Sequence, residues 1–367
     1  MNDQDYMRLA LELAERGRGW TSPNPMVGAV VVKDGRIIGQ GWHERCGLPH
    51  AERSALDSCT QDPRGAELYV TLEPCCHHGR QPPCTDAILE AGIRRVVVGS
   101  GDPNPLVAGK GIRILREHGV EVAEGVLREE CGRLNEIFFH YIQTGRPFVV
   151  MKYAMTMDGK IAAYTGASRW VTGEEARARV QEQRHRCATI MVGVGTVLAD
   201  DPLLTCRMPG GRNPVRVICD TRLRTPLTAQ VVTTAKEVPT IFATCSTDQA
   251  EHSPYESAGC RVLTVEEKDG HVDLEQLMEK LGREQIDSVL LEGGGTLNWA
   301  ALESGVVQKV QAYIAPKLFG GRDAKTPVEG RGVPVPDEAF HLKNTTITQL
   351  GGDFLMESEV EYVHRNH

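Results

Sequence analysis

The stretch EPCCHHGRQPPC, residues 73 to 84, restricts the folding of this chain more than any other, because it follows the strand-like AELYVTL and ends at the helix-like TDAILEAG. Cysteine thiolates are stabilised beside a metal and at helix N-termini, where the dipole and free N–H groups favour negative charge. Cys84 stands at such a helix start, and Cys75 follows Pro74 at a strand end. His50, at the head of the apolar-periodic PHAERSAL, opens a second helix. A strand end and two helix starts that meet can place three N/S ligands around one tetrahedral zinc with a fourth position open.

An open position lets zinc hold water and lower its pKa towards ~7, so that hydroxide is available at neutral pH. Glu52 then has a task. A carboxylate within reach of that water, but not a ligand, can take its proton and pass it to a departing nitrogen. That is hydrolytic deamination, and the order H-x-E followed by P-C and a second cysteine is the zinc-deaminase signature. Here eight residues, not two, separate Cys75 from Cys84, so the second ligand lies across a loop that folds back. The competing reading is a closed structural zinc completed by Cys76, His77 or His78, in which Glu52 at that spacing has no use. On the open reading His77 and His78 are loop residues near the substrate, and Cys76 is a bystander.

The rest of the chain frames this site. At 367 residues it exceeds the length at which one core usually keeps growing, so two domains are expected. A net charge of -8 gives no general attraction for nucleic acid or anionic lipid. The amphipathic start MNDQDYMRLALELAERG reads as neither signal peptide nor membrane span, and the expected location is cytoplasmic. Eleven cysteines, scattered except for Cys75, Cys76 and Cys84, read as metal or redox chemistry rather than a disulfide framework.

Residues 5 to 17 have helical spacing, VGAVVVKDGRIIGQGW reads as a hairpin with Asp34-Gly35 at its tip, and AELYVTL and RRVVVGS read as strands among helices. Alternation of this kind implies an α/β fold with a largely parallel sheet flanked on both faces. The Gly-Pro punctuation in TGRP places a boundary between domains 1–146 and 147–367. After it PFVVMKYAM, ATIMVGVG, PVRVICD, PTIFAT, DSVLLEGGG and QKVQAYIAP alternate again as strands, with a β-hairpin at the end.

In the second half LLEGGGTLNWAAL runs a buried-type strand into three glycines and a helix, which lets backbone N–H groups approach a phosphate or pyrophosphate. The competing reading of these residues is a tight strand-to-helix connection. The stretch is not G-x-G-x-x-G and lies late in the domain, so a Rossmann fold is not indicated. Arg184 sits in GEEARARVQEQRHR, where a solvated helix face competes with ligand contact; Trp170 and Leu204 read as core, and Lys152 as a strand-end charge.

SPNPMVGAVVVKDG, GWHERCGLPHAE, VTLEPCCHHGRQPPCTDAI and DPNPLVAGKG together resemble the deaminase half of the bifunctional deaminase/reductase family of riboflavin biosynthesis. In the second half KYAMTMDGKIA, GASRWVTG, GVGTVLADDPLLTCR, ICDTRLRTP, LLEGGGTLNWAAL and YIAPKLFGG resemble its reductase half in the same order. The family's usual motif is P-C-S-H-x-G-x-T-P-P-C. This chain has Cys76 for the serine and Gln81 for the threonine, and Thr156-Met157-Asp158-Gly159 where the family often has Ser-Leu-Asp-Gly.

The resemblance implies a cytidine-deaminase-like three-layer α/β/α domain followed by a dihydrofolate-reductase-like α/β domain. It implies zinc on His50, Cys75 and Cys84, with Glu52 as proton shuttle and Asn24, His43, Arg80 and Asn104 on the pyrimidine and its ribose phosphate. For NADPH it implies Ala154, Trp170, Thr196, Asp200, Thr221, Gly294, Gly295, Thr296, Leu297, Asn298, Trp299 and Ala300. For the reductase substrate it implies Ser168, Arg184, Leu204, Arg207 and Glu292, with Lys152 beside them. The implied reaction is deamination of 2,5-diamino-6-ribosylamino-4(3H)-pyrimidinone 5′-phosphate, then reduction of its ribosyl group to ribityl. The expected partner is that phosphorylated pyrimidine, with no nucleic acid or membrane, in a homo-oligomer. The alternative is a nucleoside or tRNA-base zinc deaminase with a nucleotide-binding second domain.

Overall fold

The computed structural model describes residues 1 to 78 and 81 to 362. It divides into two compact units, Met1–Gly145 and Arg146–His367.

The first unit runs α1 (Asp3–Glu15), β1 (Gly28–Lys33), β2 (Arg36–Trp42), α2 (Ala51–Asp57), β3 (Glu67–Leu72), α3 (Cys84–Glu90), β4 (Arg95–Ser100), α4 (Lys110–Glu117), β5 (Glu121–Glu124), α5 (Arg128–Leu134) and α6 (Glu136–Thr144). Its sheet has the order β2-β1-β3-β4-β5; β1 is antiparallel to β2 and β3, and the remaining pairs are parallel. Strand side chains alternate between faces, and here both faces are apolar. Ala29, Val31, Leu68, Val70, Val96 and Val98 meet Ala51, Ala55, Ile88 and Leu115 of α2, α3 and α4. Val30, Val32, Tyr69 and Val97 meet Tyr6, Met7, Ala10 and Leu13 of α1. This is the three-layer α/β/α domain the sequence implies.

Helix α1 begins at a capping box: the Asn2 side chain accepts from the Asp5 N–H, and the Asp5 carboxylate accepts from the Asn2 N–H. Asp3, in its first turn, forms a two-point ion pair with Arg95 of β4 at 3.0 and 2.8 Å. The neighbouring guanidinium holds the Asp3 carboxyl below its ordinary value.

The second unit runs β6 (Phe148–Thr156), α7 (Glu174–Arg186), β7 (Thr189–Gly193), α8 (Val194–Asp200), β8 (Val215–Cys219), α9 (Gln230–Thr233), β9 (Thr240–Thr244), α10 (Gln249–Ser257), β10 (Arg261–Thr264), β11 (Glu267–Lys268), β12 (His271–Val272), α11 (Leu274–Arg283), β13 (Ser288–Leu291), α12 (Gly295–Glu303), β14 (Lys309–Ala315), β15 (His341–Leu350) and β16 (Asp353–Glu361). The main sheet has nine strands in the order β10-β9-β8-β7-β13-β6-β14-β16-β15. It is parallel from β10 to β14, and the closing β15–β16 hairpin is antiparallel. One face packs Val149, Met191, Val217 and Leu291 on α11 and α12; on the other, Ile190, Ile218 and Phe242 meet Val197, Val231 and Tyr255. Strands β6 and β13, far apart in sequence, are neighbours. The C-terminal strand ends are where open α/β sheets bind ligands.

Candidate active sites

His50 is the N-cap of α2, Cys84 is the first residue of α3, and Cys75 lies three residues beyond the end of β3. Their ligand atoms lie within 4.8 Å of one another. His50 Nδ1 is 3.5 Å from Cys75 Sγ and 3.4 Å from Cys84 Sγ. Zinc–sulfur and zinc–nitrogen bond lengths give a tetrahedral N···S edge of roughly 3.6 Å, so this donor set fits zinc. A hydrogen bond with Cys84, and after it the His50 imidazole, draw the Cys75 thiol down; the Cys84 proton, shared with Cys75 and buried, is held up. The pair thus presents a thiolate to a cation.

Glu52, the second residue of α2, is only 4% exposed. Burial first, and then the negative charge on Cys75, pushes its carboxyl to about 7. Arg53 donates to the Pro83 carbonyl at 3.0 Å and so ties the start of α3 to α2.

His43 is buried behind His50, their rings edge to face with centroids 5.4 Å apart. Its Nδ1 faces the Pro49 carbonyl at 3.1 Å and must donate there, which leaves Nε2 to accept from Asn24 Nδ2 at 3.3 Å. Burial lowers its pKa and favours this neutral tautomer. The Asn24 carbonyl oxygen remains available for a ligand. Asn104 uses its own side-chain oxygen to accept from the Leu106 N–H at 3.0 Å, so its amide nitrogen is its ligand-facing group. Arg80 lies outside the described residues.

A further residue, which the sequence reading did not single out, holds this site together. The Glu73 carboxylate, 4% exposed and two residues before Cys75, accepts from the N–H groups of Gly109 at 3.0 Å and Ile112 at 3.3 Å. It anchors the start of α4, and with it the DPNP loop, to the cysteine loop. A Cβ on Gly111 would lie 2.2 Å from the Pro74 carbonyl oxygen, so only glycine permits this approach. A lone glutamate before Pro-Cys carries no spacing signal that announces such a role.

In the second unit a cavity of about 320 Å³ opens at the C-terminal ends of β6, β7 and β13. Lys152, Ala154, Ser168, Trp170, Arg184, Thr196, Asp200, Arg207, Glu292 and Gly294 all line it. Arg184 grips Glu292 by two hydrogen bonds of 2.8 and 3.1 Å, and Lys152 Nζ stands 3.6 Å from the same carboxylate. Arg184 also donates to the Thr205 carbonyl at 2.9 Å, fixing the loop that carries Arg207. A Cβ on Gly294 would meet open space, which leaves the α12 start accessible to an anion.

Other expected contacts sit elsewhere. Leu204 is buried in the core beside Val197 and Ile218. Trp299 stacks edge to face on Phe340, with centroids 5.9 Å apart. Leu297 and Ala300 pack on the main core. Asn298 Nδ2 donates to the Pro327 carbonyl at 2.8 Å, stitching α12 to a loop. Gly295 and Thr296 form the first turn of α12, and Thr221 follows β8 one residue past Asp220; these three do not line the cavity. Arg169 and Arg177, which the sequence reading passed over, do line it. Their signal was spatial: Arg177 lies 4.7 Å over the Trp170 ring, and no sequence spacing announces that stack.

Residues 1 to 100 match the family model for the cytidine and deoxycytidylate deaminase zinc-binding region, and residues 147 to 356 match that for the RibD C-terminal domain. The riboflavin biosynthesis protein RibD of Actinobacillus pleuropneumoniae is 57% identical, over 97% of this chain and 95% of that protein. RibD of Escherichia coli is 41% identical, over 96% and 98%. Among solved structures, the Thermotoga maritima diaminohydroxyphosphoribosylaminopyrimidine deaminase/5-amino-6-(5-phosphoribosylamino)uracil reductase shares 41% identity at a TM-score of 0.85, covering 98% of this chain and 99% of that one. Acinetobacter baumannii RibD shares 36% at a TM-score of 0.88, with the same coverage. The chain belongs to the RibD family of riboflavin biosynthesis, bifunctional enzymes that join a zinc-dependent deaminase to an NADPH-dependent reductase.

Proposed function

We propose that residues 1–146 deaminate 2,5-diamino-6-ribosylamino-4(3H)-pyrimidinone 5′-phosphate and that residues 147–367 reduce the ribosyl group of the product to ribityl. His50, Cys75 and Cys84 would hold the zinc, which when bound supplies a water acidified to near neutrality. Glu52, beside this cluster and shielded from solvent, would carry a proton from the attacking water to the departing amine, so that the ring carbon exchanges its amino group for a carbonyl and ammonia leaves. Asn24, oriented by neutral His43, offers its carbonyl oxygen to the pyrimidine, and Asn104 and Arg80 complete that contact set.

In the second unit, five cations (Lys152, Arg169, Arg177, Arg184, Arg207) and two acids (Asp200, Glu292) line the cavity of a chain whose net charge is -8. That local excess suits phosphorylated ligands. NADPH held in this cavity would supply the hydride that reduces the ribosyl group. Glu292 orients the sugar hydroxyls, Arg184 holds Glu292 ionised, and Arg207 meets the substrate phosphate. Ala154, Trp170, Thr196, Asp200 and Gly294 face the cofactor, and Thr221 and the remaining α12 residues extend that side beyond the cavity. The nucleoside or tRNA-base alternative is not favoured, since both halves match the bifunctional family along nearly the whole chain.

We also infer a cytoplasmic homo-oligomer. Cys75 and Cys84 must remain reduced to hold a metal, and β15, exposed along nearly its whole length at a sheet edge, offers a pairing surface to a second copy. Among the described residues no helix is long and apolar enough to cross a membrane.

The observation that carries the deaminase assignment is the convergence of His50, Cys75 and Cys84 with buried Glu52 alongside. Glu52→Gln keeps the shape and removes the proton carrier, so ammonia release is expected to fall on the order of 10²- to 10⁴-fold with zinc content unchanged. Unchanged turnover in the zinc-loaded variant would remove Glu52 from this role.

A further inference from the structure

One wall of the second-unit cavity, residues 169 to 172, belongs to no helix or strand, yet side chains from elsewhere hold its backbone at successive positions. Lys317, in the loop after β14, donates through Nζ to the carbonyl oxygens of Trp170 at 3.3 Å and Val171 at 2.9 Å. Arg177 donates to the Thr172 carbonyl at 2.7 Å and stacks on the Trp170 indole. The Gly173 N–H donates to the buried Asp353 carboxylate at 2.6 Å.

The lysine is itself seated. Its carbonyl accepts from the Met157 N–H at 2.9 Å, and the Asp158 carboxylate accepts from the N–H groups of Phe319 at 3.1 Å and Gly320 at 2.7 Å. Asp158 follows β6 and Lys317 follows β14, parallel neighbours whose register ends at Thr156 opposite Ala315. The contacts form a reciprocal clasp: a carboxylate takes two N–H groups of the partner loop, and an ammonium gives to two carbonyls of the wall. Neither Asp158 nor Lys317 lines the cavity.

We propose that Lys317, seated by Asp158, is a positioning residue that holds the Trp170–Val171 wall where the nicotinamide dinucleotide packs, so that a residue outside the cavity sets cofactor affinity. A charge-assisted hydrogen bond to a backbone carbonyl fixes an irregular segment that has no ladder of its own. Loss of both bonds lets the wall and its stacked Trp170 sample other positions, and ligand binding must then restore their order. The inference rests on the NADPH reading of this cavity.

The test uses the full-length, zinc-loaded enzyme with Lys317→Met and Lys317→Arg. Lys317 is exposed, so the substitutions spare the core. For Lys317→Met, the Kd and KM for NADPH are expected to rise about 10-fold, the size of losing such bonds. Its kcat should stay within about twofold and its ammonia release at the wild-type value; Lys317→Arg should recover most of the affinity. NADPH binding by Lys317→Met equal to wild type would overturn the proposal and leave the reductase assignment intact. Joint loss of kcat, thermal stability and ammonia release would make the lysine merely structural and also overturn it. Wild-type protein that binds no NADPH would sink the reductase reading itself, and this proposal with it.

Discussion

Glu292 lines the second-unit cavity between two cations, Arg184 and Lys152. Burial pushes its carboxyl up, but the charges of Arg184 and Lys152 outweigh this and hold it at about 2. Its folded value lies below the unfolded 4.5, so the stability it contributes is full above about pH 4.5 and is lost as pH falls towards 2. The contribution is on the order of 3 kcal/mol. Glu292→Gln leaves Arg184 and Lys152 partly buried without a counter-charge, and is expected to cost about 3 kcal/mol near neutrality. Thermal unfolding of both proteins from pH 7 to 2 should show curves that differ most at neutral pH and converge below pH 4.5. A constant gap across that range would contradict the ionised state assigned to Glu292. At this scale the clustering of His50, Cys75 and Cys84 was legible because an imidazole and thiolates at strand and helix ends make a donor set that suits zinc. Leu204, in the core, and Trp299, stacked on Phe340, were less legible, because an apolar side chain beside a ligand-binding loop reads the same whether it faces cavity or core.

Elements with a buried run and clear punctuation were legible too: β1, β3, β4, β7, β8, β9 and β13 fall within stretches that the sequence marks as strands, and β6 runs one residue past its stretch, to Thr156. Helix α11 went unread although Asp273 caps it by accepting from the Glu275 and Gln276 N–H groups. Helix α10 was hidden for a physical reason, since it is short and contains Pro254. The insertion of β13 between β6 and β7 was beyond the sequence, because hydrophobic period reports burial and not which strand lies alongside. Close approach of elements is equally silent until the packing is seen. A Cβ on Gly28, the first residue of β1, would stand 1.9 Å from the Ala10 carbonyl oxygen of α1. Backbone lies on both sides, so no rotamer relieves the clash. Gly28→Ala is therefore expected to destabilise the first unit by about 3 kcal/mol or more. Chemical denaturation checks this; a loss under about 1 kcal/mol would mean that α1 and β1 are less tightly joined than described.

At the scale of the whole molecule, the two units carry separate chemistry on one chain, each with its own core and its own cofactor demand. The first requires water and a proton carrier; the second requires a hydride and a positively lined cavity. Length alone raises the two-core expectation, since a chain of 367 residues outgrows one core. The order of reactions follows from the substrate, for the deaminated pyrimidine is what the second unit must receive. The most direct measurement supplies the diamino ribosylaminopyrimidine 5′-phosphate to zinc-loaded enzyme and follows ammonia and nicotinamide absorbance together. Without NADPH, ammonia should be released and the deaminated compound should accumulate; with NADPH, one cofactor should be oxidised for each ammonia, and Glu52→Gln should show neither signal. NADPH oxidation by Glu52→Gln on the diamino compound, or ammonia release that never leads to NADPH oxidation, would contradict the account.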